Sequence, residues 1–396
     1  MTGGYARTLA VPGAKRLLVS SLVGRLPLGM SLAVLLLVHD RTGSFADAGA
    51  VVAAFGLASS AVGPLLGRAV DALGQTKVLL AAGTAHAVLL TALVVATHEH
   101  ASVPLLVALG AAAGACIPPI APCLRTLWPE IAPDDDARES AFALDATVQE
   151  VIWTAGPLLV GGLVALVSPT AAVLAMAFVT VAGTAWFASS HLSRAWEPHG
   201  EAHRGLGVIK AGGMLVVLAA SFGSGMSMGT LEVGLPGLAE ELDRPGASGA
   251  LLALASVGSL IGGLAYGARR WRTPVTQRYA ITLATGAALM LTLTAAPSLA
   301  AGLVLAAVSS LAWAPSLSCG YALVGRLAPR GAIAEAFTWS GAAIGGGIAA
   351  GVALGGVLTE HHGSAAAFVL GAGTALAAAL VALAGSPALT LAPEAP

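Results

Sequence analysis

Long apolar segments alternate with short polar breaks along the whole chain. Segments of about twenty apolar residues are long enough to cross a bilayer as helices. Twelve such segments occur, near residues 16–38, 47–69, 77–97, 102–125, 139–167, 169–190, 211–236, 247–268, 277–296, 299–324, 334–359 and 364–385. The pattern predicts an all-α membrane protein with twelve transmembrane helices.

The composition supports this prediction and excludes other classes of protein. The chain is 57% hydrophobic and only 10% charged, whereas about a quarter of the residues of a soluble domain carry charge. Its 50 glycines suit membrane helices that pack closely through small residues. A formal net charge of −1 argues against binding to nucleic acid. The scattered cysteines have no metal-binding spacing. We predict no metal and no cofactor. The apolar composition predicts a lipid bilayer as the environment.

The distribution of Lys and Arg predicts the orientation in the membrane. If the N-terminus is cytoplasmic, only Arg41 and Arg244 fall in outer loops, and Arg25 lies within the first segment. The other 16 of the 19 Lys and Arg residues then belong to the inner side, including Arg125 at the end of the fourth segment. Positive charge accumulates on the cytoplasmic side. We therefore expect a multi-pass protein of the plasma (inner) membrane, with both termini cytoplasmic.

The second half of the chain resembles the first. Residues 49–67 align with residues 249–267, and Ala141-Phe142 aligns with Ala336-Phe337. Because each half contains six helices, both halves enter the membrane from the same side and form a parallel repeat. The sequence thus predicts two six-helix bundles related by a pseudo-two-fold axis. Their expected limits are residues 1–190 and 211–396, with a cytoplasmic linker at 191–210.

The polar break after the second segment contains a spaced set of glycine, acidic and basic residues: Gly67, Asp71, Gly74 and Lys77. Glycine permits close helix approach and positive φ, and an aspartate can meet the positive end of a helix dipole. This set resembles the loop signature of the major facilitator superfamily, a family of alternating-access transporters. The resemblance implies that Asp71 latches the two halves in the outward-open state. A solvated surface turn is the alternative.

The fifth segment contains Gly156-Pro157, followed by Gly161-Gly162. This arrangement is similar to the helix 5 motif of the superfamily's drug/proton antiporters, although its spacing is one residue longer. The fourth segment, taken to end at residue 125, lacks the intramembrane Arg that many proton-coupled members have. The resemblance implies a conformational role for Gly156 and Pro157.

Ionisable residues inside the apolar segments are the candidate binding groups, because a charge within the membrane is costly and marks function. Counted from the nearest polar break at roughly 1.5 Å per residue, Arg25 lies about 14 Å deep, Glu150 about 16 Å and Asp145 about 9 Å. Equal depth favours an Arg25–Glu150 pair, with Asp145 as the alternative partner. Such a pair could bind protons and substrate, or it could simply brace the helices.

Helical geometry separates the two carboxylates of the fifth segment. At 100° per residue, Asp145, Gln149 and Gly156 lie on one face, and Glu150 is about 140° from Asp145. Glu232, in the seventh segment, is expected near the outer boundary, where a loop-edge position is favoured. Trp153, Trp313, Trp339 and Phe337 either line an apolar cavity or pack between helices.

The resemblance therefore implies a secondary transporter, and no catalytic motif in the sequence points to an enzyme. The expected activity is proton-coupled efflux of a small amphiphilic compound by a monomer. Two alternatives remain, an importer of a small metabolite or organic anion that uses Arg25 as the counter-charge, and a non-transporting sensor with the same fold. Any proton-linked step is expected in the N-terminal half, where the intramembrane carboxylates of the fifth segment lie.

Overall fold

A computed structural model describes residues 3–198, 207–210, 212–329 and 331–390. Within these residues it has twelve helices long and apolar enough to cross a membrane. We label them α1 (Ala14–Thr42), α2 (Phe45–Leu73), α3 (Gln75–His98), α4 (Val103–Ile131), α5 (Asp135–Leu166), α6 (Pro169–Ala188), α7 (Met214–Glu241), α8 (Pro245–Gly267), α9 (Val275–Ala295), α10 (Leu299–Leu327), α11 (Ile333–His362) and α12 (Ser364–Ala384). The predicted fold class is confirmed.

Side-chain caps define where several helices begin. Ser44 accepts a hydrogen bond from the Asp47 backbone N–H at 3.1 Å, and Asp134 accepts one from the Ala137 N–H at 2.8 Å. These caps satisfy N–H groups that have no partner within the helix. Helix α5 consequently starts four residues before the apolar segment does. Charged residues of its first turns thus belong to the helix rather than to a loop.

Three helices are interrupted, among them α10, whose first helical part ends at Ser309 and whose second begins at Trp313. In α1, residues Leu26–Met30 form a 3₁₀ turn around Pro27. In α4, the first helical part ends at Ala115 and the second begins at Ile120, because Pro118 and Pro119 lack the N–H that a continuous helix needs. Helix α5, by contrast, continues unbroken through Pro157.

The chain forms two six-helix bundles, α1–α6 and α7–α12, that meet mainly through α2 with α11 and through α5 with α8 and α10. Residues 199–206 of the predicted linker, including Arg204, lie outside the described residues, and so does Arg330. The limits of the two bundles along the chain stay a prediction.

The first and last described residues, Gly3 and Thr390, lie on the same side of the bundle. We call this the basic side; it holds the connections α2–α3, α4–α5, α8–α9 and α10–α11. A short N-terminal helix, Gly3–Ala10, packs there against both bundles. The Tyr5 hydroxyl donates to the carbonyl oxygens of Gly263 and Leu264 in α8, and Thr8 donates to Ala137 in α5 at 2.8 Å. Burial raises the pKa of Tyr5 to about 12, so its hydroxyl remains a donor at neutral pH.

Candidate functional site

A central cavity of about 310 Å³ lies between the two bundles. This volume is at the lower end of the range for small-molecule sites. Helices of both halves line it, with polar groups on the α1, α4 and α5 side and aromatic rings on the α5, α10 and α11 side. The residues that determine its chemistry are Arg25, Arg125, Gln149, Trp153, Trp313, Tyr321 and Phe337.

One aspartate holds two arginines at the wall of this cavity. The Arg25 Nη1 donates to Asp145 Oδ1 at 2.5 Å, and the Arg125 Nε donates to Asp145 Oδ2 at 2.6 Å. Arg25 also donates to the side-chain oxygen of Gln149. All three charged side chains are buried, with exposed fractions of 2% for Arg25, 4% for Arg125 and 0% for Asp145. We call this cluster the Arg–Asp–Arg triad.

The favoured sequence pairing of Arg25 with Glu150 is therefore wrong, and the alternative, Asp145, is the partner. Depth had been counted from Arg16 and Glu139, but the helices begin earlier, at Ala14 and at Asp135. Counted from these starts, Arg25 and Asp145 are at nearly the same level. The helical angles place Asp145 and Gln149 on one face of α5 and Glu150 on another. The structure has the same arrangement, since Arg25 contacts both Asp145 and Gln149.

Arg125 was missed as a site residue because the fourth segment was taken to end there. The second helical part of α4 continues to Ile131, so Arg125 lies within the span and not in an inner loop. The expectation that the fourth helix lacks an intramembrane Arg is also wrong. The sequence does contain a signal for the position of Arg125. Pro118 and Pro119 interrupt the helix, which begins again at Ile120 and ends later than the apolar segment does.

Glu150 faces the other bundle instead of the triad. It is 3% exposed, its carboxylate lies beside Ser259 of α8 and Trp313 of α10, and it forms no salt bridge among the described residues. Its Oε1 atom is buried with no hydrogen-bond partner in the same part of the chain. Glu232 is close enough for its charge to repel that of Glu150.

Glu232 lies within its helix rather than at a loop edge. Helix α7 extends to Glu241, nine residues further and thus roughly 14 Å at about 1.5 Å per residue. The loop-edge interpretation is wrong because the polar residues Glu240 and Glu241 belong to the helix. Glu232 of the second half is thus near enough to Glu150 of the first half for their charges to interact.

The aromatic residues divide between the cavity and the helix packing. Trp153, Trp313 and Phe337 line the cavity, whereas the Trp339 indole N–H donates to Glu335 at 3.3 Å. The guanidinium carbon of Arg125 lies 3.6 Å from the centre of the Tyr321 ring. This cation–π contact joins the triad in one half to an aromatic residue in the other.

The loop motif forms a contact between α2 and α11 at the basic side. Asp71 accepts hydrogen bonds from the backbone N–H groups of Ala334 at 3.0 Å and Glu335 at 2.8 Å, which are unsatisfied donors in the first turn of α11. Arg68 donates to both carboxylate oxygens of Glu335, at 3.0 and 2.6 Å. We call this set the α2–α11 latch. The solvated-turn alternative for Asp71 is wrong, because this carboxylate is only 4% exposed.

Gly67 permits this contact, and the other two motif residues do not take part in it. A Cβ added to Gly67 would lie 2.8 Å from the Ala334 carbonyl oxygen, a distance that real Cβ atoms do not reach. Gly74 has a φ of 88° that ends α2, and Lys77 is exposed. Gln75 instead forms buried hydrogen bonds to Cys123 and Thr126 of α4.

A second set of ion pairs joins the halves near the base of α5. Arg278 of α9 donates to both oxygens of Glu139, at 2.8 and 2.6 Å, and Arg326 lies 3.6 Å from the same carboxylate. Arg270 pairs with Asp136 at 3.2 Å. Together with the α2–α11 latch, these pairs close the basic side below the cavity.

Gly156 has a packing role. A Cβ at this position would overlap the backbone of Gly29 in the 3₁₀ turn of α1, so the glycine allows α5 to approach the interrupted part of α1. Pro157, the next residue, is exposed.

These features define a class of protein: a twelve-helix membrane carrier of two homologous halves, with one central cavity closed at one side by contacts between the halves. The sequence model of the Major Facilitator Superfamily matches residues 17–293. The chain belongs to this superfamily, whose members are transporters and not enzymes.

Solved structures with the same fold have low sequence identity to the chain. A bacterial homologue of the iron transporter ferroportin in an outward-facing state has a TM-score of 0.77 at 14% identity, covering 94% of this chain and 99% of that one. The human organic anion transporter MFSD10 (TETRAN) has a TM-score of 0.71 at 16% identity, covering 93% and 99%.

The E. coli fucose:proton symporter FucP has a TM-score of 0.71 at 15% identity, covering 96% of this chain and 99% of that one. At such identities the likeness shows the fold alone. No curated protein matches the chain in sequence.

Proposed function

We propose that the protein is a proton-coupled secondary transporter that exports a small amphiphilic organic solute by alternating access. The observation that carries the proton-coupled part is Glu150, a buried carboxylate without a cationic partner, at the interface where the two bundles move against each other. An isolated buried carboxylate is costly when ionised, and it is therefore suited to binding and releasing a proton as its surroundings change. Glu232 across the interface adds a repulsion that a proton relieves.

Trp313 links this carboxylate to the cavity. It lies beside Glu150 and also lines the cavity, so a solute that displaces its indole ring changes the surroundings of the carboxylate. Rocking of the bundles during alternating access would do the same, because Ser259 and Trp313 belong to the other half. Binding of the solute in the cavity and binding of the proton to Glu150 are thus physically coupled through Trp313.

The closed basic side supports an outward-open resting state. If the basic side is cytoplasmic, as the charge distribution predicts, the α2–α11 latch and the Glu139 ion pairs close the cytoplasmic entrance. Opening that entrance requires Asp71 and Glu335 to lose their partners in the other half. The export direction is supported by the partial antiporter motif at Gly156 and Pro157.

The test uses the full chain reconstituted into vesicles with an imposed pH gradient. Wild-type protein should move an amphiphilic fluorescent solute against its concentration gradient, in the direction opposite to the protons. In the Glu150→Gln variant, solute exchange without a gradient should persist while gradient-driven accumulation is lost, since the amide cannot carry a proton. Glu240→Gln, at an exposed position near the end of α7, is the control and should behave as wild type.

Separate outcomes address the separate parts of the proposal. Absence of flux for every solute in a broad panel would contradict transport itself. Flux that ignores the pH gradient would contradict proton coupling but leave transport standing. Accumulation in the same direction as the protons would contradict export by exchange and favour uptake.

A further inference from the structure

The Arg–Asp–Arg triad has more positive than negative charge. Arg25 and Arg125 supply two guanidinium groups, and the carboxylate between them is that of Asp145 alone. Gln149, the remaining polar partner, is neutral. The triad therefore carries a net charge of +1 while being almost completely buried, at the wall of a cavity between two bundles.

A buried excess charge is normally compensated, because isolated charges are costly away from water. Among the described residues, none of the ion pairs supplies a second carboxylate to Arg25 or Arg125. Glu150 lies on a different face of α5 and forms no salt bridge with any described residue. The Arg25 Nε atom is buried and has no hydrogen-bond partner in the described part of the chain. The triad thus has both an uncompensated charge and an unused donor.

The geometry of Arg125 leaves its charge directed toward the cavity. Its Nε is engaged by Asp145, and its flat face lies on the Tyr321 ring. Both contacts fix the guanidinium group, and the single negative charge of Asp145, shared with Arg25, offsets only part of the positive charge. A preorganised arginine of this kind recognises carboxylates and other oxyanions with little loss of side-chain freedom.

The remaining walls are apolar and aromatic. Trp153, Trp313 and Phe337 also line the cavity, and the centre of the Phe337 ring is 5.9 Å from the Arg125 guanidinium carbon. Flat aromatic rings bury a large apolar area and favour a ligand that also contains an aromatic ring. The site therefore combines one net positive charge with aromatic walls.

We infer that the transported solute is an organic monoanion with an aromatic or similarly apolar body, whose anionic group binds beside Arg25 and Arg125. This inference rests on the proposed transport function and specifies its substrate class. It assigns Asp145 the role of positioning both arginines, and it makes Arg125 a substrate-binding residue.

The test compares three probes of nearly equal shape that differ in charge: 2-naphthoate, its neutral amide 2-naphthamide, and the cation 2-naphthylmethylammonium. Binding to the purified full chain is measured as ligand-induced thermal stabilisation over a concentration series. We expect 2-naphthoate to bind about 10- to 100-fold more tightly than the amide, the range of a charge-assisted hydrogen bond. The cation should bind more weakly than either.

Two variants test the assignment of the residues. Arg125→Gln and Arg25→Gln each reduce the net charge of the triad to zero, yet leave Asp145 paired with the other arginine, so both variants should fold. In each, the preference for naphthoate over the amide should fall about 10-fold or more, with the affinity for the amide unchanged. Arg244→Gln removes the same charge from an exposed loop and should keep the full preference.

Three results would overturn the inference: equal binding of acid and amide by wild-type protein, no binding of any of the three probes, or a preference for the cation. A preference that survives in Arg125→Gln would overturn the role of that residue. These outcomes differ from failure of the proposed function, because proton-driven flux of a neutral or cationic solute would leave transport intact while excluding an anionic substrate.

Discussion

At the residue scale, Asp145 is the group on which the polar site depends. It is fully buried, and each of its oxygens accepts a hydrogen bond from a different arginine. The two arginines come from different helices, α1 and α4, so the carboxylate also fixes the relative position of three helices. Its removal would leave two like charges close together in a buried site.

We predict that Asp145→Ala destabilises the protein strongly. Breaking a buried ion pair by removing one partner costs about 3–5 kcal/mol, and here two arginines lose their acceptor at once. The apparent melting temperature in detergent should fall clearly relative to wild type. Asp145→Asn should be milder, because the amide oxygen can still accept one hydrogen bond.

The matched control is Asp135→Ala, since Asp135 pairs with Arg138 on the surface and its side chain is 76% exposed. Surface pairs contribute little, so this variant should melt with the wild type. A melting temperature for Asp145→Ala equal to that of Asp135→Ala would show that the triad does not stabilise the bundle.

At the element scale, the contact between α2 and α11 depends on the absence of a side chain at Gly67. The loop motif led to the prediction that Asp71 joins the halves, and the structure places its carboxylate on the first turn of α11. The motif gave no indication of Arg68 and Glu335, because their pairing joins positions 267 residues apart. Sequence spacing reveals partners within a helix but not between distant ones.

We predict that Gly67→Ala opens the basic side. The added methyl group would overlap the Ala334 carbonyl and the Thr338 hydroxyl, and overpacking of this kind costs about 1–3 kcal/mol. Such a cost shifts the equilibrium away from the closed conformation by about 5- to 150-fold. Spin labels at the exposed positions Leu73 and Arg272, on opposite halves, should report a longer distance.

Gly56→Ala, about three turns earlier on the same helix, is the control, because nothing lies within 4 Å of its added Cβ. Its label distances should match those of the wild type. Unchanged distances in Gly67→Ala would mean that the α2–α11 contact can accommodate a methyl group. They would show that Gly67 does not control closure of the basic side.

At the scale of the whole molecule, the two halves meet through positions related by the internal repeat. Phe142 and Phe337, aligned in the sequence, lie 6.2 Å apart between ring centres. Arg125 and Tyr321, which correspond when the halves are offset by 196 residues, form the cation–π contact. The pseudo-two-fold axis thus passes near the cavity. The first half has Arg125 where the second half has Tyr321, so the site is chemically asymmetric.

The orientation of the molecule can be tested with single cysteines in a variant lacking Cys116, Cys123 and Cys319. If the basic side is cytoplasmic, a membrane-impermeant maleimide added to intact cells should label Arg244→Cys and not Arg270→Cys, both of which are exposed positions. Both should react after the membrane is permeabilised. Labelling of Arg270→Cys in intact cells would reverse the predicted orientation.

The sequence by itself determined the class of protein, the number of spans, the repeat and the face shared by Asp145 and Gln149. These properties follow from local patterns, because length and hydropathy decide which segments cross a membrane and the helical period decides which side chains share a face. The resemblance of the loop after the second segment to the superfamily's signature implied that Asp71 joins the halves.

Only the tertiary structure decided the partners. Arg125 entered the site because a proline break and a restarted helix moved it into the membrane, and Glu150 was separated from Arg25 because the helices start before their apolar segments. The pairing of Arg68 with Glu335 and of Glu139 with Arg278 depends on how the two bundles pack. Contacts between distant elements depend on three-dimensional positions that a local pattern does not contain, and the charge balance of the cavity results from those contacts.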